Sequence, residues 1–221
     1  LIEAWRLMDK VDSALEAKLN FSFHASLGYL TACPTNVGTG LRASCMVHLA
    51  GLMMTKQVNK VLQALSKLNL AARGFYGEGT QAAGNFFQFS NQMTLGQPEG
   101  EIVDGLERVM RQVIEHEKEA RNYLMEKRRA KVEDQIWRAL GTLKAARLMS
   151  SQEALGLLSL VRLGVDLGFI GNLSKPNLNA LFLFTQPAHL QKLSGADHSA
   201  AERDQKRAEL LRTRLKDVEL V

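Results

Sequence analysis

Residues 33–44 read CPTNVGTGLRAS, the densest group of reactive and turn-forming residues in the chain. Thr35 stands two residues after the cysteine, and its hydroxyl is a donor that would favour a thiolate. The two glycines permit close approach of the backbone to a ligand, and Arg42 offers paired donors that match a phosphate. The stretch lacks the GxxxxGK[ST] pattern of a Walker loop. Taken in isolation, Cys33 is also consistent with a buried cysteine before an ordinary turn.

A second stretch, residues 73–79, reads RGFYGEG. An arginine that leaves a strand is followed here by a carboxylate in a glycine-rich loop. The two side chains, Arg73 and Glu78, would pair a ligand for phosphate with a ligand for a cation. Taken alone, the stretch is also consistent with a solvated turn.

The elements around these two stretches are predicted to be mixed α and β. Leu1–Leu19 carries apolar residues at three- and four-residue spacing, which indicates an amphipathic helix. Thr55 is predicted to cap the next helix, which has apolar positions from Val58 to Leu68. The extended segments are predicted at Phe21–Thr31 (two short strands and a turn), Arg42–Leu49, Leu70–Tyr76 and Phe86–Met93.

After Gln97-Pro98 the pattern becomes entirely helical. Ser199 and Glu202 have the spacing of a capping box, in which the two side chains satisfy backbone donors at a helix start. The sequence therefore predicts an α+β fold with a partial antiparallel sheet flanked by helices, followed by an all-helical C-terminal subdomain. The predicted helices of this half are Ile102–Leu124, Val132–Leu148, Ser151–Leu163, Asn177–Phe184 and Ser199–Lys216.

Composition limits the classes of function. The 221 residues are 46% hydrophobic, and 28 basic against 23 acidic side chains give a formal charge of +5. This mild surplus is spread over mixed-sign helices, which disfavours a dedicated nucleic-acid binder and suits a polyanion such as ATP. The most apolar stretches, Leu155–Leu167 and Leu178–Phe184, are too short or too interrupted to span a bilayer, so no membrane partner is expected. Two cysteines and no secretory signal favour reduced thiols and a cytoplasmic location.

The five histidines show no metal-ligand spacing, so no metal site is predicted on the protein itself. The basic run Lys127–Lys131 is typical of a solvated helix end, and it would also favour acidic partners.

Together the two stretches resemble the phosphagen (guanidino) kinase signature, CPTN-x-GT-x-x-RAS followed by RG-x-x-GE. Gly84-Asn85 and Ser90–Gly96 continue the resemblance. The GFYGEG form of the second motif and the long helical tail are similar to the bacterial protein-arginine kinases. In that tail, residues 203–208 match RD-x-x-RA. The resemblance implies the C-terminal part of a glutamine-synthetase-like phosphagen kinase catalytic domain in 1–125, and a helical regulatory and dimerisation subdomain in 126–221.

The resemblance also implies roles for individual residues. Cys33 would contact the substrate guanidinium as a thiolate, and Glu78 would hold it with a carboxylate. Arg42 and Arg73 would neutralise the phosphates of ATP, whose oxygens Mg²⁺ bridges. The implied nucleotide site comprises Arg42, Ala43, Ser44, Cys45, Met46, Arg73, Gly74, Phe75, Tyr76, Gly77 and Glu78. The implied allosteric phosphoarginine pocket comprises Arg203, Asp204, Gln205, Lys206, Arg207 and Ala208.

The function implied by the resemblance is ATP-dependent phosphorylation of arginine residues in proteins, which would mark them for Clp-type proteolysis in a stress response. The expected partners are proteins with exposed arginine, phosphoarginine proteins at the regulatory pocket, Clp protease components and a second copy of the chain as a homodimer. A non-catalytic phosphoarginine- or partner-binding module is the alternative. A small-guanidino-substrate kinase is disfavoured by the helical tail with its RD-x-x-RA element.

The chain departs from the family pattern in two respects. Position 45 is a cysteine where the family commonly has valine. The family also carries a second substrate carboxylate, in an asparagine-glutamate-glutamate-aspartate motif well before the cysteine loop, and the 32 residues before Cys33 do not contain it. We therefore expect a partial gene product or an excised region that would be inactive, or nearly so, when isolated.

Overall fold

A computed structural model describes residues 1–74 and 83–219. In these residues strands and short helices come first, and long helices dominate after residue 98. The elements are α1 (Ile2–Glu16), β1 (Phe23–His24), β2 (Gly28–Tyr29), a 3₁₀ turn (Pro34–Asn36), β3 (Ser44–His48), α2 (Ala50–Met54), α3 (Val58–Lys67), β4 (Leu70–Gly74), a second 3₁₀ turn (Ala83–Asn85), β5 (Phe86–Asn91), α4 (Glu99–Ala145), α5 (Ser151–Asp166), α6 (Lys175–Phe184), α7 (Pro187–Ser194) and α8 (Ala200–Leu215).

The described residues form two compact units. The first unit contains Leu1–Val47, residues 56–74 and Phe86–Lys118. The second unit contains His48–Thr55, residues 83–85 and residues 119–219. The predicted assignment of 1–125 to a catalytic domain and of 126–221 to a regulatory and dimerisation subdomain stays a prediction.

Two small sheets organise the strands. β1 and β2 form an antiparallel hairpin in which Phe23 is opposite Tyr29. The second sheet has the order β3-β5-β4, and β4 and β5 are antiparallel with Leu70 opposite Asn91. Alternation along β5 points Phe87 and Phe89 into the interior, where they are 6% and 0% exposed. The sheet thus fixes the positions of residues in β4 and at the end of β5, and several of these residues line the cavity described below.

The helices of the second unit start at serine caps. Ser150, Ser174 and Ser199 each accept a hydrogen bond from a backbone N–H in the first turn of the following helix. Each such cap contributes about 1 kcal/mol. The helices enclose an apolar core with residues from α4, α5 and α8, including the fully buried Ile136, Leu143, Leu155, Leu158, Leu163, Ala208 and Leu211.

The predicted α+β class is confirmed, as are the hairpin within Phe21–Thr31, the strands that begin at Leu70 and Phe86, and the capping box at Ser199. Two details of the helices were wrong, namely the role of Thr55 and the omission of two short helices. Thr55 ends α2 rather than capping the next helix, because its hydroxyl donates to the carbonyl of Gly51 one turn back. The predicted break between Ile102–Leu124 and Val132–Leu148 is confirmed as a kink within α4, where Arg128 has non-helical dihedrals (φ −142°, ψ 23°) and two helical segments meet. The short helices α2 and α7 were not predicted.

Candidate functional site

Cys33 is an exposed thiol whose environment favours the thiolate. It directly precedes the 3₁₀ turn at Pro34–Asn36, where proline fixes the backbone dihedral of the first residue. The Cys33 sulfur lies 3.0 Å from the Thr35 hydroxyl oxygen. Hydrogen bonds from the Thr35 side chain, and then from its backbone N–H, lower the pKa of Cys33 below its ordinary value. The loop therefore presents a nucleophilic or anion-forming sulfur to solvent.

The cysteine loop is fastened to the segment after β5 by Thr94. The buried Thr94 hydroxyl donates to the carbonyl oxygen of Val37 at 2.8 Å, and the Thr94 carbonyl accepts from the backbone N–H of Thr39 at 2.9 Å. Gly38 lies between these contacts with a φ of 116°. A Cβ at Gly38 would be 2.2 Å from the Thr94 carbonyl oxygen, so only glycine fits there.

The backbone on either side of Arg42 is held by one amide side chain, that of Asn91 at the end of β5. The Asn91 Oδ1 accepts from the backbone N–H of Ala43 at 2.9 Å, and its Nδ2 donates to the carbonyl of Leu41 at 3.0 Å. The same Nδ2 also donates to the carbonyl of Met93 at 2.9 Å. Because both flanking peptide groups are fixed, the position from which the exposed Arg42 side chain extends is fixed as well.

The described residues of the first unit line a cavity of about 980 Å³, which brings the cysteine and the two arginines to one place. Cys33 and Thr35 lie on the cysteine loop, Arg42 follows it, and Arg73 comes from β4. Asn91 and Thr94, the two residues that fasten the loop, also line this cavity. The volume is at the upper end of the range for small-molecule sites in proteins. Two guanidinium groups and a thiol at its wall suit a polyphosphate and a cationic acceptor.

The other residues of the predicted nucleotide site that are described lie outside this cavity wall. Ala43 and Ser44 line a smaller cavity of about 180 Å³, and the Ser44 hydroxyl accepts from Gln88 Nε2 at 3.2 Å. Cys45 is half-buried, and burial raises the pKa of its thiol. Met46 is 46% exposed. Gly74 is buried at the end of β4. These residues form the strand that follows Arg42 and the end of the strand that carries Arg73.

Four residues of the predicted site lie outside the described residues. They are Phe75, Tyr76, Gly77 and the second predicted guanidinium ligand, Glu78.

Within the RD-x-x-RA motif on α8, Arg207 is engaged inside the second unit. Its guanidinium is 1% exposed and donates to two backbone carbonyls, from Nε to Thr185 and from Nη1 to Met149, each at 2.7 Å. The Nη1 atom also lies 2.6 Å from the Asp204 carboxylate. Arg207 therefore joins α8 to Met149, two residues before α5 begins, and to Thr185 at the end of α6.

The remaining residues of the motif differ in accessibility. Arg203 is half-buried and donates to the carbonyl of His198 at 2.6 Å. Ala208 is fully buried, whereas Gln205 and Lys206 are exposed, and Lys206 pairs with Glu209 at 3.2 Å. Arg203 and Asp204 are thus charged residues that are partly buried and still accessible to solvent.

Among residues 1–74 and 83–219, no group of three or more His, Cys, Asp or Glu side chains is placed to hold a metal ion. No helix in the same residues has both the length and the apolar character needed to cross a membrane.

Sequence reasoning gave no role to Asn91 or Thr94, although both lie in a segment that continues the family resemblance. Their contacts join residues 48 and 57 positions apart in the chain. A polar residue at the end of an otherwise apolar strand was the available signal, and it was too general to assign.

Two families of known sequences match the chain. Residues 1–120 match ATP:guanido phosphotransferase, C-terminal catalytic domain. Residues 129–220 match the protein-arginine kinase McsB C-terminal domain. The first match covers more than half of the chain, and the second covers most of the helical remainder.

Curated relatives match nearly the whole chain. The protein-arginine kinase of Brevibacillus brevis is 50% identical over 219 residues, which are 99% of this chain and 61% of the relative. The protein-arginine kinase of Symbiobacterium thermophilum is 52% identical over 215 residues, or 97% of this chain and 61% of the relative. The chain thus spans about three fifths of the length of these relatives.

Solved structures match over about half of the chain. Lombricine kinase is 37% identical with a TM-score of 0.39, over 44% of this chain and 26% of that protein. The duplicated taurocyamine kinase of Schistosoma mansoni, with bound components of a transition-state analogue, is 31% identical with a TM-score of 0.45, over 51% of this chain and 15% of that protein.

Proposed function

Because the chain belongs to the ATP:guanido phosphotransferase family, we propose that it is part of an enzyme that transfers the γ-phosphoryl group of ATP to arginine side chains of proteins. The observation that carries the proposal is the common cavity lined by Cys33, Arg42 and Arg73. Protein arginine is favoured as acceptor over a small guanidino compound, since relatives that match nearly the whole chain at about half identity are protein-arginine kinases.

Phosphoryl transfer needs alignment and charge stabilisation more than covalent help from the protein. In the proposed reaction a guanidino nitrogen of the acceptor forms a bond to the γ-phosphorus while the bond to the bridging oxygen of ADP breaks. The attacking nitrogen loses a proton in this step. Arg42 and Arg73 stabilise the negative charge that develops on the phosphoryl oxygens and on ADP.

Cys33 supplies the anionic side of the site. A protonated guanidinium is a poor nucleophile, and a neighbouring thiolate orients it and favours proton loss during attack. The lowered pKa of Cys33, caused by the hydrogen bonds from Thr35, supports this role because it increases the thiolate fraction near neutral pH. Glu78 is the second proposed ligand of the guanidinium.

Mg²⁺ would be held through the phosphates of ATP and would neutralise part of their charge. The donors that line the cavity fit this arrangement, since the guanidinium groups of Arg42 and Arg73 match phosphate oxygens. The proposed nucleotide contacts remain Arg42–Met46 and residues 73–78.

We further propose that α8 carries the regulatory phosphoarginine pocket. Arg203 and Asp204 would contact the ligand. Arg207 would support the buried side of the pocket, since its donors are engaged with backbone carbonyls and Asp204. The match of 129–220 to the McsB C-terminal domain supports a role for this region that is specific to protein-arginine kinases. Marking of proteins for Clp-type proteolysis, homodimerisation and a cytoplasmic location belong to the same proposal.

The test uses the complete protein, meaning this chain joined to the remaining length that its curated relatives carry. The protein is incubated with ATP, Mg²⁺ and an arginine-containing protein, and phosphoarginine is identified by mass spectrometry under conditions that preserve N–P bonds. We expect phosphorylated arginine, and a loss of rate of about 10²-fold or more in Cys33→Ala. A Cys33→Ser variant tests whether the charge of the thiolate is needed, and Arg138→Ala, which removes an exposed arginine paired with Asp134 on α4, is the control. Absence of phosphoarginine with the unsubstituted protein would overturn the proposal.

A further inference from the structure

The hydroxyl of Ser159 lies in the middle of α5 and connects two segments that are distant in sequence. Ser159 is 0% exposed. Its Oγ lies 2.8 Å from Nε2 of His48 and accepts a hydrogen bond from Nδ2 of Asn85 at 2.7 Å. We call these three residues the Ser159 joint, and all of them belong to the second unit.

The two partners of Ser159 lie at the end of β3 and directly before β5. His48 is the last residue of β3, the strand that begins two residues after Arg42. Asn85 directly precedes β5, the strand that ends at Asn91. The backbone N–H of Leu49, the residue after His48, donates to the Asn85 carbonyl at 2.9 Å. The Ser159 hydroxyl thus bridges the end of β3 and the turn before β5, two segments whose backbones are already hydrogen-bonded to each other.

A second contact, which does not involve the hydroxyl, places the turn before β5 against α5. Gly84 adopts a φ of 62°, and a Cβ at this position would be 3.0 Å from the carbonyl oxygen of Leu155. Asn85 also adopts a positive φ, of 58°. Such backbone conformations are unfavourable for residues other than glycine, and they persist where surrounding contacts determine them. The turn before β5 is therefore seated on the α5 backbone at short range.

Burial and the surrounding charges keep the His48 imidazole neutral across the physiological pH range. Burial, together with the charges of Arg121 and Arg162, lowers the pKa of His48 to about 3, and the nearby Asp166 carboxylate opposes this only in part. Lys175 also pairs with Asp166, at 2.8 Å. The imidazole is therefore neutral at neutral pH, and its Nε2 can accept from the Ser159 hydroxyl while that hydroxyl accepts from Asn85.

We propose that Ser159 is a positioning residue for the phosphoryl-transfer reaction, acting through His48 on the carboxyl end of β3 and through Asn85 on the start of β5. This inference rests on the proposed function, because it assigns the residue a role in that same reaction. Arg42 lies just before β3, and Asn91, which holds the backbone around Arg42, lies at the end of β5. Displacement of either strand along its length shifts the arginine relative to the phosphates, and a shift of about 1 Å is enough to slow a reaction about 100-fold.

The test compares variants of the complete protein in steady-state arginine phosphorylation. Ser159→Ala removes the hydroxyl, and His48→Ala removes its partner. His48→Gln keeps a polar atom near the place of Nε2 and serves as the conservative variant. Ile136→Val removes one methylene from the core of the same unit and controls for a general loss of packing around α5, since Ile136 is 0% exposed and its side chain lies beside Gly164 on that helix.

For Ser159→Ala we expect kcat to fall about 10- to 100-fold, with the KM values for ATP and for the protein substrate changed less than about threefold. His48→Ala should behave like Ser159→Ala, and the double variant should lose little more than either single variant, because both act through one hydrogen bond. His48→Gln should retain most of the kcat. Ile136→Val should lower the melting temperature without changing kcat.

Two results would overturn the proposal in distinguishable ways. If the unsubstituted protein phosphorylates arginine but Ser159→Ala changes kcat no more than Ile136→Val does, the positioning role is wrong and the proposed function stands. If the unsubstituted protein forms no phosphoarginine at all, the proposed function and the positioning role fail together.

Discussion

Arg42 and Arg207 both belong to motifs that are recognisable in the sequence, yet they occupy opposite environments. Arg42 is exposed and lines a cavity of about 980 Å³. Arg207 is 1% exposed, and its hydrogen bonds go to the carbonyls of Thr185 and Met149 and to Asp204. The backbone around the first arginine is held while its side chain is exposed, and we propose that its donors bind a ligand. The second arginine uses its donors to connect segments of the second unit.

The difference shows that an arginine in a recognisable motif can contribute either to stability or to ligand binding. A guanidinium whose donors are already satisfied by buried carbonyls contributes mainly to stability, because removing it leaves those carbonyls without partners. A guanidinium that is exposed at a cavity wall contributes little to stability and much to ligand binding. Substitutions of the two arginines should therefore separate activity from stability.

The largest effect is expected for activity at Arg42. Arg42→Ala should lower kcat/KM for ATP by about 10²- to 10³-fold, because one of the two arginines at the cavity wall no longer stabilises the transferred phosphoryl group. Its free energy of unfolding should stay within about 0.5 kcal/mol of the unsubstituted protein, as for most exposed sites. Steady-state kinetics and urea unfolding measure both quantities, with Arg138→Ala as the matched control on α4. A large loss of stability in Arg42→Ala would contradict the assignment of this side chain to ligand binding.

The converse is expected for stability at Arg207. Arg207→Met keeps the length of the side chain but removes the hydrogen bonds to Thr185, Met149 and Asp204, and should destabilise the second unit by about 3–5 kcal/mol. Arg203→Met, four residues earlier on the same helix, should cost less than about 1 kcal/mol. Urea unfolding followed by circular dichroism gives both values. Equal destabilisation by the two substitutions would remove the distinction between a structural and a ligand-facing arginine on α8.

Glycine substitutions in the cysteine loop test whether this exposed part of the first unit is rigid. Gly38→Ala should destabilise the first unit by about 3 kcal/mol, because the residue combines a φ of 116° with a Cβ position 2.2 Å from the Thr94 carbonyl oxygen. Gly40→Ala should cost only about 1 kcal/mol, since Gly40 has a φ of 62° and no atom within 4 Å of its Cβ position. Thermal unfolding of the two variants measures the difference. Similar melting temperatures would mean that the contact between Gly38 and Thr94 does not constrain the loop.

A smaller effect is expected at His48, which is half-buried. The pKa of His48 is lowered from 6.5 to about 3 in the folded protein, so between these pH values the unfolded chain binds a proton that the native protein does not. The stabilising contribution is therefore fully present above pH 6.5 and is lost as the pH falls toward 3. The slope is at most about 1.4 kcal/mol per pH unit. His48→Gln should reduce the slope of the unfolding free energy between about pH 6.5 and pH 5, whereas His189→Gln, which replaces an exposed histidine, should not. An unchanged slope in His48→Gln would mean that this imidazole titrates normally.

The strands and the principal helices of the fold could be predicted because their signals are local. Aromatic and β-branched residues around Gly28 predicted the hairpin, and the alternation that begins at Phe86 predicted β5. The serine-glutamate pair at 199 and 202 predicted the start of α8. The five-residue helix α2 escaped prediction because it is too short to show a helical period.

The residues that hold the site in place could not be predicted, because their roles depend on contacts between distant positions. Cys33, Arg42 and Arg73 were predicted as site residues from their motifs, and all three line one cavity. Asn91 bonds across 48 positions to Ala43, and in the second unit Ser159, for which we propose a positioning role, bonds across 111 positions to His48. Nor does the motif on α8 indicate that Arg207 is buried, since the same pattern on a helix is typical of a solvated, ion-paired face.

The most direct measurement offers the complete protein two acceptors at once, an arginine-containing protein and free arginine, with ATP and Mg²⁺. The products are followed by ³¹P NMR, in which a phosphorus bonded to nitrogen is distinguished from the phosphates of ATP and ADP. We predict an N–P signal on the protein acceptor that depends on Cys33 and Arg42, with little or none on free arginine. A signal on free arginine alone, or no N–P signal from either acceptor, would contradict the proposed protein-arginine phosphotransferase.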